Sequence, residues 1–160
     1  MAKEKSGSSA VVLRGSVTQG AANAYVQTSM LTGLSAGGND ALLVKEIVLE
    51  VVGVAPGAAA ITEMEFALTR ATKAAMVVIS DDDLIWKNRF SNYYAASFMP
   101  ELGLVRFVPQ VDLVLIEDTV YFSFDSSNLA ALTTAYLNVL AMPATVTESE
   151  KVGILLSRLN

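Results

Sequence analysis

The stretch TEMEFALTRA (62–71) alternates with a period of two. Met64, Phe66 and Leu68 fall on one face, and Glu63, Glu65, Ala67 and Thr69 on the other. Helical spacing would scatter the glutamates around the axis, so this is a strand with one face toward a core. LLVKEIVLEV (42–51) repeats the pattern: Ile47, Leu49 and Val51 share one face, while Glu46 and Glu50 share the other with Val48 between them. A chain patterned in this way must build sheets, and the sheets must cover each other's apolar faces.

Further short apolar runs fit the same architecture. VVLRGSVT (11–18), AYVQTSMLT (24–32), MVVIS (76–80), LVRFVP (104–109), VDLVLI (111–116), TVYFSFD (119–125) and TAYLNVLAM (134–142) read as strands parted by turn residues. Gly37, Gly38, Asn39 and Asp40 form a strong turn, and Glu117-Asp118 joins two runs as a hairpin. Pro143 is expected to stop the last strand. SDDDLIWKNRF (80–90) reads as a short crossover helix or turn, capped by Ser80 or Asp81, and residues 92–103 as an aromatic-bearing loop. Eight or nine strands with little helix and no sustained repeat predict an all-β, antiparallel fold, a β-sandwich or a barrel. The expected organisation is a flexible arm (1–9), a sandwich (10–146) and a C-terminal helix (147–160).

That helix has a capping box, Thr147 to Glu150, followed by Val152, Leu155, Leu156 and Leu159 at helical spacing. It either folds onto its own sandwich or docks between subunits. Both uses bury the same face.

The chain lacks histidine and cysteine altogether. Ser-His triads, imidazole or thiolate metal sites and disulfides are therefore excluded. Among the carboxylates, Glu46, Glu50, Glu63 and Glu65 read as solvated or ion-paired strand residues, and Asp81–Asp83 as a helix cap lacking the spacing of a calcium loop. GLSAGGND lacks the Lys-Ser/Thr pair and strand-to-helix setting of a phosphate loop. No enzyme activity, cofactor or metal is expected. WKNRFSNYY interleaves Lys87 and Arg89 with Trp86, Phe90, Tyr93 and Tyr94, an arrangement that would serve either to stack bases or sugars or to anchor a loop into the core or a neighbour.

Net charge is −5 and the pI near 4.6, which disfavours dense neutralisation of nucleic-acid phosphates. The hydrophobic fraction of 52% and mean hydropathy of +0.46 are high beside only 17% charged residues. The uncharged window 126–147 is long enough to span a membrane, but Asn128, Asn138 and Pro143 dilute it and its pattern favours strand. Residues 1–15 lack the continuous apolar run of a signal peptide. The apolar surplus therefore points to contacts between copies of the chain.

The order of GSVTQGAANAYVQTSMLTGLS, LLVKEIVLEV, SDDDLIWKNRF, TVYFSFDSSNLA and TAYLNVLAMPATVTESEKVGILL resembles the small single jelly-roll capsid proteins of icosahedral viruses and virus-like elements, especially those of archaea and hot environments. The resemblance covers layout over about residues 10–158. It implies a jelly roll of about eight strands acting as a structural subunit of a closed shell. Such a subunit is made in the host cytoplasm, assembles with itself through pentameric or other rings, and resides in the virion. The candidate assembly interface comprises Trp86, Phe90, Tyr93, Tyr94, Phe98, Val152, Leu155, Leu156 and Leu159. The arm carries only Lys3 and Lys5 against Glu4, so strong direct nucleic-acid binding is not expected; an internal membrane, a second structural protein or an empty shell would lie beneath it. The alternative is a lectin-like or receptor-like jelly-roll binding module, trimeric in form, using exposed aromatics around 86–94.

Overall fold

The computed structural model describes residues 2–35, 38–54, 61–93 and 104–156. Among the described residues ten strands and one helix follow in chain order. They are β1 (Lys3–Glu4), β2 (Val11–Thr18), β3 (Val26–Leu31), β4 (Asp40–Val52), β5 (Ile61–Thr69), β6 (Leu84–Tyr93), β7 (Val105–Phe107), β8 (Leu113–Leu115), β9 (Thr119–Ser127), β10 (Thr134–Thr145) and α1 (Glu148–Leu156). All pairings are antiparallel.

In the first sheet β10 lies between β4 and an edge formed end to end by β1 and β2. The far flank of β4 carries β7 and β8, again end to end. The second sheet runs β3-β9-β5-β6. Counting β7 and β8 as one interrupted strand and leaving β1 aside, eight strands wrap between two sheets in the order 1-8-3-6 and 2-7-4-5. This is an antiparallel β-sandwich of the single jelly-roll type.

The core is the inner face of both sheets, including Leu13, Val17, Ile47, Leu49, Met64, Phe66, Leu68, Phe122, Phe124, Leu137 and Val139, all buried. Phe66 and Phe124 stack with centroids 4.9 Å apart and planes 5° from parallel. At one flank Gly15 makes room for Met30: a Cβ at position 15 would lie 2.7 Å from the Met30 sulfur. At the other flank Trp86 meets Phe107 edge-on at 5.2 Å. The alternation in β5 matches the sequence reading. That in β4 shifts phase at Lys45, the extra residue of a bulge: Leu140 pairs with Glu46 but Ala141 with Val44.

Local expectations differ from the structure at five places. Glu117-Asp118 joins no hairpin: it carries the chain from β8 in the first sheet to β9 in the second, because each run finds its partners elsewhere. Residues 84–90 form the first part of strand β6 rather than a crossover helix. The acids that looked like a helix cap instead form a turn, with Asp83 N–H donating to Asp81 Oδ1 at 2.9 Å. Apolar alternation in β6, with Trp86 and Phe90 packed against the core, outweighs the capping signal. MVVIS (76–80) forms no strand and lies in the β5–β6 connection. Asn92 and Tyr93, placed by the sequence reading in a loop, end β6. Pro143 does not stop the last strand, which continues to Thr145. The Pro143 carbonyl accepts from Lys5 N–H at 2.9 Å, so its ring nitrogen faces the same side. There the edge changes from β2 to β1, and a missing donor costs little.

Lys3 and Glu4 pair with Thr145 and Ala144, and the Lys5 ammonium meets Asp40 at 2.7 Å. α1 starts at the capping box: Thr147 N–H donates to Glu150 Oε2 at 2.7 Å and Glu150 N–H to Thr147 Oγ1 at 3.2 Å. Ile154 then packs on Ala41, Leu43, Ala144 and Val146, a small second cluster outside the main core. No helix among the described residues is long and apolar enough to cross a membrane.

Candidate assembly surfaces

The period-two alternation of β6 decides the role of the aromatic-basic stretch. Trp86 and Phe90 turn inward and are half-buried, with Phe90 edge-on to Phe66 at 5.9 Å. Lys87 and Arg89 turn outward. Lys87 pairs with Glu65 at 3.0 Å, and Arg89 pairs with Glu63 and with Glu65 at 3.5 Å. Cations and aromatics therefore lie on opposite faces of the sheet, which is not the geometry of a stacking platform. The Tyr93 side chain, Tyr94 and Phe98 lie outside the described residues. Of the helical candidates, Val152 is exposed; the side chains of Leu155 and Leu156, and all of Leu159, lie outside the described residues.

The outer face of the second sheet is divided. One half is a shallow groove of about 240 Å³ lined by Glu63, Glu65, Asp125, Ser126 and Ser127. Its two glutamates are already neutralised by Lys87 and Arg89. Among the described residues no group of acids is arranged to hold a metal ion.

The β5–β6 connection, residues 70–83, lies across the other half. Lys73 N–H donates to Gln27 Oε1 on β3 at 3.1 Å, and Lys87 Nζ on β6 donates to the Val77 carbonyl at 2.7 Å. Its own Val77 is buried, as are Ala67 and Ser123 on the strands, and the Ser123 hydroxyl is satisfied by Tyr25 and Gln27. The connection is also stapled to itself. The Lys73 ammonium sits 2.9 Å from Asp81 and 2.7 Å from Asp83. These contacts hold Lys73 above its usual 10.5, chiefly through the bond to Asp83 and then that to Asp81. The bond from Lys73 likewise holds Asp81 below its usual 3.8, against a smaller opposing effect of desolvation.

Rigid anchoring ends in an apolar tip. Val78 is 64% exposed and Ile79 84% exposed. At the end of β3, Leu31 is 78% exposed. Along the β7–β8 edge, Val108 and Val111 are 64% and 80% exposed. Sequence reasoning missed these positions because Val78 and Ile79 belong to a run that reads as a buried strand. Leu31 and Val111 likewise sit near the ends of runs read as strands, the one late in 24–32 and the other opening 111–116, where a one-dimensional pattern does not reveal burial.

No protein-family model and no curated protein sequence matches the chain. Solved structures do. VP1 of Trichodysplasia spinulosa-associated polyomavirus, in complex with GM1 oligosaccharide, is similar over 92% of this chain and 99% of that one, with 10% identity and a TM-score of 0.55. Desmodium yellow mottle tymovirus aligns over 90% and 93% at 12% identity with a TM-score of 0.34, and Tomato Aspermy Virus over 86% and 80% at 8% with 0.38. The polyomavirus protein and this chain share one fold, the antiparallel jelly-roll sandwich.

Proposed function

We propose that this protein is a structural subunit that assembles with copies of itself into the closed shell of a virus or virus-like particle. The observation that carries the reading is the exposure of Leu31, Val78, Ile79, Val108 and Val111. Exposed aliphatic side chains occur singly on any protein, but here Val78 and Ile79 are neighbours and Val108 and Val111 share one short connection. Apolar projections at several places suit a chain that meets identical neighbours through different patches. The jelly-roll fold shared with a viral VP1 supports the same reading.

The finer features of the proposal are rings, pentameric or otherwise, as building blocks, a location in the virion shell, and synthesis in the host cytoplasm. Kinship with archaeal or thermophilic capsid proteins rests on the order of sequence features alone. A net charge of −5 favours a shell that is empty or lined by a membrane or a second protein over one that condenses a genome directly. The binding-module alternative loses its support at Trp86 and Phe90, which pack inward. Catalysis is not part of the proposal. Size-exclusion chromatography with electron microscopy tests it: uniform hollow particles are expected, and a stable monomer or trimer at high concentration would favour the binding module.

A further inference from the structure

Gly38, Asn39 and Asp40, at the entry to β4, each hold a different part of the arm and of helix α1. The Gly38 carbonyl accepts from the Lys151 ammonium of α1 at 2.9 Å. The Asn39 carbonyl accepts from Val146 N–H, in the link between β10 and α1, at 2.9 Å. The Asp40 carboxylate takes the Lys5 ammonium of the arm at 2.7 Å. Two segments far apart in sequence therefore share one catch.

They also share one apolar seat. Ala41, Leu43, Ala144 and Val146 are buried outside the main core, and Ala2 of the arm and Ile154 of α1 both pack on them, beside Val114 and Ile116. Neither segment is built to hold its place alone. Strand β1 pairs with β10 through two residues only, Lys3 with Thr145 and Glu4 with Ala144. Its ion pairs, Lys5 with Asp40 and Glu4 with Lys45, are solvent-exposed, a class of contact that adds little stability. Helix α1 has nine residues, and a helix of that length is marginal in water without tertiary contacts. Each segment therefore depends on the dry surface that the other helps to keep. Removing either one wets the seat of the other.

We propose that the arm and α1 form a single latch, which closes and opens as one cooperative unit with residues 38–40 as its catch. Closed, as in this structure, the latch covers the cluster of Ala41, Leu43, Ala144 and Val146. Open, it frees both segments and uncovers the cluster at once, while the sandwich behind it stays folded; local opening in contiguous units below the global unfolding free energy is a general property of folded chains. The latch is a conformational switch within one subunit. It goes beyond the self-assembly reading and stands whether or not copies assemble.

Hydrogen exchange resolved to single amides reads both halves of the latch. Lys5 N–H, which donates to the Pro143 carbonyl at 2.9 Å, reports on the arm, and Lys151 N–H, which donates to the Thr147 carbonyl at 2.9 Å, reports on the helix. Ile154→Asp alters the helix alone, and it should speed exchange at Lys5 about ten-fold, alongside Lys151. Lys5→Pro removes the arm's hydrogen bond to Pro143 and its ion pair with Asp40 in one step, far from the helix in sequence. It should speed exchange at Lys151 by about the same factor. The amides of Ile47, Leu49 and Val139, in the main core, should keep their protection in both variants. A freed helix with an unchanged Lys5 in Ile154→Asp would make the two segments independent and overturn the latch. An unchanged Lys151 in Lys5→Pro would overturn it equally, as would an Ile154→Asp protein in which neither amide changes. Should Ile154→Asp also lose its core protection, Lys5→Pro, at an exposed site, decides the matter alone.

Discussion

Trp86 on β6 meets Phe107 on β7 edge-on, with ring centroids 5.2 Å apart and planes at 61°. This contact ties the open flank of one sheet to the other, where hydrogen bonds between strands cannot reach. Trp86 also packs on the main core while remaining half-buried.

Trp86→Ala should therefore destabilise the isolated subunit by about 2–3 kcal/mol, less than a fully buried tryptophan because part of the ring is already wet. Urea unfolding followed by circular dichroism checks this. An unchanged midpoint accompanied by lost assembly would instead assign the ring to contact between copies.

The Lys73 staple gives the β5–β6 connection a defined pH window. Asp81 titrates lower in the folded chain than its usual 3.8, so its contribution is present above that value and is lost as pH falls through the depressed one. Lys73 titrates above its usual 10.5, so its contribution is full below that value and is lost as pH rises through the elevated one. Hydrogen exchange, corrected for its intrinsic pH dependence, should show residues 70–83 losing protection below about pH 4 while the core strands keep theirs. Lys73→Met should lose protection in the same segment at neutral pH and show little further change in acid. Equal acid sensitivity in both proteins would contradict this account.

Helix α1 is held to its own sandwich by Ile154 and by the Thr147–Glu150 box. Ile154→Asp should release it, raising amide exchange across residues 151–156 about ten-fold or more, the equivalent of roughly 1.4 kcal/mol. Strands β4 and β10 should keep their protection. Deletion of 147–160 should leave a folded sandwich; unfolding on deletion would make the helix an integral part of the core.

Alternation makes most of the sandwich legible in the amino-acid sequence. Strands β2, β4, β5, β9 and β10 are long enough for the period-two pattern to outweigh other signals, and Met64, Phe66 and Leu68, the face it names in β5, are buried. It fails where a second rule competes. Three aspartates imitate a helix cap and hide the start of β6. Pro143 looks terminal because the gap between β1 and β2 that tolerates it is a tertiary feature. The apolar face assigned to α1 leaves out Ile154, the residue that packs on the sheet. The exposed tip at Val78–Ile79 is not legible, because the folding of its loop across Ala67 and Ser123 depends on a bond donated to Gln27, 46 residues away, and one accepted from Lys87.

Sedimentation velocity of the purified chain over a hundred-fold concentration range tests self-association most directly. The account predicts cooperative conversion from subunits or small rings into one fast, narrow boundary of uniform particles, weakened in Ile79→Asp. A single slow species of about 17 kDa at every concentration would contradict it.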